Sequence, residues 1–124
     1  MFSHIHSATV VVADQSAALD FYVNVFGWEK VLDVPMGEGN RFTTVVIPGA
    51  KTQLALSPAS WFSAESMPGK TTGIALIVYD IDAAYKTLSE RGVRFKQAPE
   101  VMPWGQKATW MYDPDGNEFF LHEA

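Results

Sequence analysis

The sequence contains no cysteine, which excludes disulfides, thiolate zinc sites, iron–sulfur clusters and a cysteine nucleophile. It has only 9 basic residues against 14 acidic ones, so we do not expect the basic surface typical of nucleic-acid binding. No apolar stretch approaches the roughly 20 residues that cross a membrane, and the first residues, MFSHIHS, lack the basic and apolar regions of a signal peptide. We therefore expect a cytoplasmic protein with neither a nucleic-acid nor a membrane partner.

Motifs for nucleophilic or phosphate chemistry are also missing. The sequence has no G-x-S-x-G elbow and no glycine-rich phosphate loop. Asp113 and Asp115 look like a carboxylate pair, but they belong to the turn sequence DPDGN, whose proline and glycine explain them structurally. No acid–base pair therefore stands out from the sequence.

What the sequence does contain is material for one well-packed domain. Its 124 residues are 48% hydrophobic and include 4 Trp, 4 Tyr and 8 Phe. A domain of this length buries about two-thirds of the surface that its unfolded chain exposes. We therefore expect residues 1–124 to form a single domain.

The two halves of the sequence resemble each other. ATVVVADQSAALDFYVNVFG at 8–27 and IALIVYDIDAAYKTLSERG at 74–92 each consist of an apolar strand, an aspartate and an amphipathic helix that ends at glycine. Asp14 and Asp80 are 66 positions apart (80 − 14), and the later turns that begin at proline keep the same offset. A constant offset over separate elements indicates an internal duplication. The prediction is module one at 3–57, a linker at 58–72 and module two at 73–123.

Each module is predicted to contain one helix and four strands. Asp14 and Asp80 can cap their helices, because a carboxylate accepts hydrogen bonds from the N–H groups of the first turn. Gly27 and Gly92 suit the left-handed residue at which many helices end. The predicted strands span 5–13, 28–35, 41–48 and 52–57 in module one, and 73–79, 93–101, 106–113 and 117–123 in module two.

The order βαβββ in each half predicts an α+β fold made of two modules in tandem. Each helix covers one face of its sheet, so the opposite face of each sheet is left uncovered within its own module. Two curved sheets placed edge to edge would then enclose a cavity.

The chain resembles the vicinal-oxygen-chelate superfamily, which includes glyoxalases, extradiol dioxygenases, fosfomycin-resistance enzymes and bleomycin-resistance binding proteins. The resemblance covers essentially the whole chain and rests on ADQSAALDFYVNVFGWE, GIALIVYDIDAAYKTLSERGV and MPWGQKATWMYDPDGNEFFLHE. It implies the paired βαβββ arrangement of the glyoxalase/bleomycin-resistance/dioxygenase fold, usually dimeric, with one cavity per two modules. We therefore expect a homodimer.

The resemblance also implies where a metal would be held, and those positions lack ligands here. Metal-using members place His, Gln or Glu on the first and last strand of each module. In this sequence the four positions fall on Ser7, Ala55, Gly73 and Phe120. Serine is a poor ligand unless ionised, and the other three have no side-chain donor. We therefore expect neither a metal nor another cofactor, and a register slip of one residue would be needed to restore the metal site.

Two other sets of polar side chains were candidate ligands. His4 and His6 share a face of the predicted first strand, but by parity that face packs toward the helix. Glu118 and His122 share a face with Phe120 on the last strand, yet their Cα atoms are about 13 Å apart, too far to hold one metal. Either could contact an organic ligand or act as a general base. Alternatively, Glu118 is a solvated strand start and His122 a satisfied terminal residue.

Small and aromatic side chains line the predicted cavity. Trp104, between Pro103 and Gly105, suits a rim residue, and Trp110 extends the surface, although either ring could instead be core or dimer-interface material. Aromatic rings bind planar or cationic molecules through contacts of about 0.5–2 kcal/mol each. The predicted ligand-binding residues are Ser7, Thr9, Gln53, Ala55, Gly73, Trp104, Trp110, Phe120 and His122.

The remaining tryptophans have other predicted places. Trp28 opens the second strand and is predicted to be core material. Trp61 and Phe62, in a polar linker, are predicted to cover a neighbouring subunit or the cavity mouth, because exposed aromatic clusters are uncommon on monomers.

The sequence is consistent with three functions. The first is a metal-free binding protein that sequesters or carries a small aromatic or cationic organic molecule. The second is a lyase, isomerase or dioxygenase-type enzyme, metal-independent or with unrecognised ligands. The third is a dimeric interaction module with a collapsed cavity. The lack of ligands at all four positions, together with the retained fold and the Pro103–Gly105 loop, favours the first.

Overall fold

Two units, residues 1–69 and 70–124, make up the fold. The computed structural model describes residues 1–62 and 68–124. Residues 63–67 of the predicted linker at 58–72 therefore lie outside the described residues. No helix in the described part of the chain is long and apolar enough to span a membrane.

The first unit consists of one helix and one four-stranded sheet. The strand order is β1-β4-β3-β2, with β1 parallel to β4 and the other pairs antiparallel. Its elements are β1 (Ser7–Val12), α1 (Gln15–Asn24), β2 (Glu29–Pro35), β3 (Arg41–Val46), β4 (Gln53–Pro58) and a short 3-10 helix (Ala59–Trp61).

The second unit repeats this plan, so the predicted α+β architecture is confirmed. Its sheet has the order β5-β9-β8-β6, with β7 also paired to β8, and β5 runs parallel to β9. Its elements are β5 (Thr71–Val78), α2 (Ile81–Glu90), β6 (Arg94–Phe95), β7 (Glu100–Val101), β8 (Lys107–Tyr112) and β9 (Glu118–Glu123).

Both predicted helix caps are present. Asp14 accepts a hydrogen bond from the Ala17 N–H at 3.0 Å, and Asp80 accepts one from the Ala83 N–H at 3.1 Å. Gly92 has a left-handed φ of +90° at the end of α2, where the following residue, Val93, donates its N–H back to the Leu88 carbonyl. This is the Schellman arrangement, which favours glycine because it has no Cβ.

Two predicted strands differ from the structure. The strand predicted at 93–101 is split into β6 and β7, because the chain leaves the ladder between them at a segment that includes Pro99, which has no N–H to donate. The strand predicted from residue 5 begins only at Ser7, so His4 and His6 precede it and are exposed. The prediction that these histidines share a strand face was therefore wrong.

Each sheet buries the face that its own helix covers. Helix α1 packs on β3 and β4, and α2 lies against β9. In β9, Phe119 and Leu121 are 0% and 2% exposed, whereas Phe120 and His122 on the opposite face are half-buried. This alternation agrees with the parity that the sequence predicted for the last strand. The candidate site residues lie on the sheet face opposite the helix.

Candidate functional site

Four side chains of the second unit form a continuous group that we call the aromatic platform: Trp104, Trp110, Phe120 and His122. The Phe120 ring lies at its centre. Its centroid is 6.2 Å from that of Trp104, 5.3 Å from that of Trp110 and 5.6 Å from that of His122. These separations are those of rings in tilted contact. Four of the nine predicted ligand-binding residues are thus brought together.

Strand pairing explains how the platform is built. In the antiparallel pair β8–β9, Trp110 lies directly opposite Phe120, and directly opposed residues share one sheet face. On the other side of β9, the parallel strand β5 places Ala75 opposite Phe120. Because alanine is small, it leaves the Phe120 ring accessible from that side.

A tight turn before β8 presents Trp104. The Gly105 N–H donates to the Met102 carbonyl at 2.8 Å, and Gly105 has a φ of +99° that a residue with a Cβ rarely adopts. The Trp104 side chain is 61% exposed. This turn therefore projects a large apolar ring over the edge of the sheet.

A hydrogen-bond chain fixes the two outer rings of the platform. The Trp104 indole N–H donates to Gln106 Oε1 at 3.0 Å, and Gln106 Nε2 lies 3.0 Å from His122 Nδ1. Because an indole can only donate, Gln106 Oε1 accepts from Trp104, and the Gln106 amide nitrogen faces the imidazole. His122 Nδ1 also lies 3.1 Å from the Glu123 carbonyl oxygen, which only accepts, so the tautomer of the imidazole decides which of these two hydrogen bonds Nδ1 makes. Sequence reasoning missed Gln106, whose only signal was its position two residues after Trp104.

A second polar group lies at the Glu118 end of the platform face. The Glu118 carboxylate accepts hydrogen bonds from the Tyr112 hydroxyl at 3.1 Å and the Thr71 hydroxyl at 3.4 Å. Burial raises the pKa of the Tyr112 phenol, and the hydrogen bond to Glu118 and its negative charge raise that pKa further. Glu118, the first residue of β9, is thus partly exposed and hydrogen-bonded to two hydroxyls.

Two cations lie against aromatic rings of the same face. The Lys96 Nζ is 5.0 Å from the centroid of Trp110, and the Arg94 guanidinium is 5.6 Å from that of Tyr112. Arg94 lies directly opposite Tyr112 in the β6–β8 pair, and the Lys96 N–H continues the ladder by donating to the Trp110 carbonyl. Sequence reasoning missed both cations, although their alternating positions 94 and 96 placed them on one face.

Gly73 belongs to the same unit but at an irregular point of β5. The register of β5 against β9 shifts between Thr71 and Ala75, and Gly73 has a left-handed φ of +74°. At this shift the Thr72 hydroxyl donates to the Glu118 carbonyl oxygen at 2.7 Å. Glycine is required here by the backbone of a β-bulge.

The other four predicted residues share one face of the first unit. Ser7 lies opposite Gln53, and Thr9 lies opposite Ala55, in the parallel pair β1–β4. Ala55 is buried, whereas Thr9 is exposed. Among the described residues, Gln53 Oε1 is buried and has no hydrogen-bond partner. No ring cluster comparable to the platform joins these four side chains.

The positions that correspond to metal ligands do not fit a divalent metal. Ala55, Gly73 and Phe120 offer no donor atom, and Ser7 offers only a neutral hydroxyl. A slip of one residue in β9 would bring only the buried, donor-free Phe119 or Leu121 into register. Within residues 1–62 and 68–124, no group of three His, Asp or Glu side chains is placed to hold a metal ion.

An open cleft of about 550 Å³ lies in the first unit, beside α1. Two of its charged groups form an ion pair. Arg41 pairs with Asp33 at 2.6 Å and donates to the Ser16 hydroxyl at 2.8 Å. These contacts tie β2 and β3 to the start of α1, so we assign this ion pair a structural role.

The remaining predicted aromatic and carboxylate roles have clear structural outcomes. Trp28, predicted to be core material, is half-buried, and its ring centroid lies 5.5 Å from that of Tyr22 and 5.6 Å from that of Phe26. The Asp113 carboxylate is 1% exposed and accepts hydrogen bonds from the N–H groups of Asp115 and Asn117 at 2.9 Å each. It holds the DPDGN turn, as predicted.

Comparison with known families and proteins gives consistent matches. The family model described as the Glyoxalase/Bleomycin resistance protein/Dioxygenase superfamily matches residues 4–121. A member of that superfamily from Sphaerobacter thermophilus DSM 20745 has a crystal structure that is 58% identical, with a TM-score of 0.94 over 99% of this chain and 98% of that one. These matches confirm the predicted family fold.

Two further relatives cover nearly the whole chain. TnmS3, an antibiotic binding protein from Streptomyces sp. CB03234, is 37% identical, with a TM-score of 0.86 over 98% of this chain and 96% of that one. The protein YetH of Bacillus subtilis (strain 168) is 32% identical over 126 residues, which cover 99% of this chain and all of YetH (100%).

Proposed function

Since the chain belongs to the Glyoxalase/Bleomycin resistance protein/Dioxygenase superfamily, we propose that it is a binding protein that sequesters or carries a planar organic molecule on the aromatic platform, without a metal. The residues at the ligand positions support a metal-free function, because three of them lack a side-chain donor atom and the fourth, Ser7, offers only a neutral hydroxyl. The similarity to TnmS3 supports a ligand of antibiotic type, because TnmS3 is an antibiotic binding protein.

One observation carries the proposal: Phe120 is in ring contact with Trp104, Trp110 and His122, and Trp104 stays 61% exposed. Contact of water with one exposed ring and three half-buried ones is unfavourable, and a bound guest would reduce it. A flat guest that stacks on two of them would gain about 1–3 kcal/mol from ring contacts alone. The exposed Trp104 ring would add its own surface to such a contact.

The polar groups of the platform support binding rather than general-base chemistry. His122 Nδ1 is engaged with Gln106, and the Glu118 carboxylate is engaged with the hydroxyls of Tyr112 and Thr71. Groups that are already hydrogen-bonded can orient a ligand at the edge of the platform. A general base, by contrast, needs a free lone pair within reach of a substrate proton.

Fluorescence titration tests the proposal. A panel of planar polycyclic aromatic antibiotics is screened by quenching of tryptophan emission and by the shift in melting temperature. We expect at least one compound to do both, and Trp110→Leu to weaken its binding about two- to thirteen-fold, the equivalent of one ring contact of about 0.5–1.5 kcal/mol.

Trp61→Leu is the matched control, because it removes an exposed tryptophan of the first unit that is outside the platform. We expect it to leave the affinity unchanged. The proposal is wrong if no compound binds, or if Trp61→Leu weakens binding as much as Trp110→Leu.

We also propose that the protein is a homodimer. Edge strand β2 and the residue after it carry exposed apolar side chains, with Val31, Val34 and Met36 at 43%, 42% and 60% exposure. Such side chains along a sheet edge are typical of an association surface. Light scattering after size exclusion should give twice the monomer mass of 13.7 kDa, and a monomer mass at micromolar concentration would contradict this.

A further inference from the structure

We infer that the platform selects planar aromatic molecules that carry an acidic oxygen, such as a sulfonate, carboxylate or phenolate, over neutral analogues of the same shape. The inference rests on the proposed function and narrows the ligand class. It comes from the charged side chains around the platform, which the sequence did not predict to belong to a site.

Within residues 1–62 and 68–124, the cations of this face have no acceptor. In that part of the chain Arg94 lies against the ring of Tyr112 and Lys96 against the ring of Trp110. The ion pairs within the described residues, Arg41 with Asp33 and Lys107 with Asp82, include neither of them. A guanidinium and an ammonium are therefore held beside the platform with their hydrogen-bonding capacity open to a ligand.

The carboxylates of the same face are already occupied. Glu118 accepts from Tyr112 and Thr71, as described above. Glu100, which the β7–β8 register places on this face opposite Ala108, accepts from the Gln97 amide at 2.6 Å. The unfilled hydrogen-bonding capacity around the rings is thus that of cationic donors, in a chain whose net charge is −5.

The positions of the cations match a ring-bound anion. Lys96 Nζ lies 5.0 Å from the Trp110 centroid, so an acidic oxygen at the rim of a molecule stacked on Trp110 or Phe120 is within reach of the flexible lysine side chain. Arg94 lies two residues before Lys96 on the same face of the sheet. Its planar guanidinium group suits carboxylates and sulfonates. Both cations are exposed, so we expect each to contribute only a two- to five-fold gain in affinity.

A matched pair of fluorescent probes tests the inference. 1-Anilinonaphthalene-8-sulfonate and N-phenyl-1-naphthylamine share one aromatic skeleton and differ in the sulfonate. We expect the anionic probe to bind about four- to twenty-fold more tightly at low ionic strength. This advantage should shrink in about 0.5 M NaCl, because salt screens exposed charges.

Charge-neutralising variants locate the effect. Lys96→Gln and Arg94→Gln should each lower the affinity for the anionic probe two- to five-fold and leave that for the neutral probe unchanged. Lys86→Gln removes the same charge from an exposed position on α2, on the helix side of the sheet, and should change neither affinity.

Two results would overturn the inference while leaving the proposed function intact: equal affinities for the two probes, or equal effects of Lys86→Gln and Lys96→Gln on the anionic probe. Binding of neither probe would also overturn the inference, whereas the proposed function stands or falls with the antibiotic panel. Trp110→Leu adds the remaining check, since it should weaken both probes if they occupy the platform.

Discussion

Replacement of Gln106 by leucine separates platform geometry from protein stability. The Gln106 amide joins the Trp104 indole to the His122 imidazole through two hydrogen bonds of 3.0 Å. Leucine has a similar size but neither donates nor accepts. The substitution therefore removes the Gln106 contact from both outer rings of the platform without removing any ring, and His122 Nδ1 keeps its 3.1 Å contact with the Glu123 carbonyl oxygen.

The expected magnitudes follow from exposure. Trp104 is mostly exposed and His122 is half-buried, so water can replace the lost partners, and we expect the free energy of unfolding to fall by less than about 1 kcal/mol. Binding must then order these two side chains at about 0.5–1 kcal/mol each. The affinity for a planar ligand should fall about five- to thirty-fold.

The assay compares dissociation constants for neutral N-phenyl-1-naphthylamine with urea unfolding of the same variants. Gln106→Glu is the informative companion, because it keeps an acceptor for Trp104 but has no amide to donate to His122. We expect its affinity to lie between those of the wild type and Gln106→Leu. The reasoning fails if Gln106→Leu binds as tightly as the wild type, or if its weaker binding accompanies a loss of several kcal/mol in stability.

Three further predictions concern stability and titration. Gln15→Leu should lower the free energy of unfolding by about 2–3 kcal/mol in urea denaturation, because the buried Gln15 amide donates to the Leu56 carbonyl at 2.8 Å and no water can take its place; a change below 0.5 kcal/mol would contradict this. Asp113→Ala should cost about 2–4 kcal/mol and Asp113→Asn less, because the buried carboxylate holds several N–H groups of the DPDGN turn; equal effects of the two variants would be the contrary result. The stabilisation from the Tyr112–Glu118 hydrogen bond should persist at every pH below the ordinary tyrosine pKa and be lost as the pH rises through the raised pKa of Tyr112. Glu118→Gln should lower that pKa toward its ordinary value, measured as the difference in tyrosinate absorbance between each protein and its Tyr112→Phe derivative, and an unchanged titration would refute the assigned cause.

Most of the fold could be predicted from the internal repeat in the sequence. Alternating burial and helix caps are local consequences of residue type, so the positions of Asp14 and Asp80 and the parity of Phe120 could be predicted. The split of the strand at 93–101 was missed, because Pro99 removes only one donor and its effect depends on how β8 pairs with the segment. Local residue chemistry predicts which residues form a strand or helix. It predicts less well where a strand ends, because that depends on pairing with a neighbouring strand.

The composition of the aromatic platform and its surroundings was predictable only in part, for a related reason. Trp104, Trp110, Phe120 and His122 could be named because strand parity and an exposed turn are visible in sequence. The partners that tune them could not, because Gln106 and the cations act through contacts between different strands. Their identity depends on register, which a single sequence does not fix to one residue.

Gly73 illustrates a second limit. Its place on the predicted ligand position suggested lost metal chemistry, whereas the structure shows a register shift and a left-handed φ of +74°. Both descriptions account for the absence of a ligand, but only the backbone explains why the residue is glycine. A sequence pattern can therefore identify a position correctly without showing the backbone conformation that requires its residue type.

The indole N–H resonances of the four tryptophans test the central claim most directly. A planar aromatic ligand is added to ¹⁵N-labelled protein, and each resonance is assigned by a Trp→Phe substitution. Binding on the platform predicts large shifts for Trp104 and Trp110 and little change for Trp28, which is packed in the first unit. Shifts confined to Trp28 or Trp61, with Trp104 and Trp110 unmoved at saturation, would contradict the account.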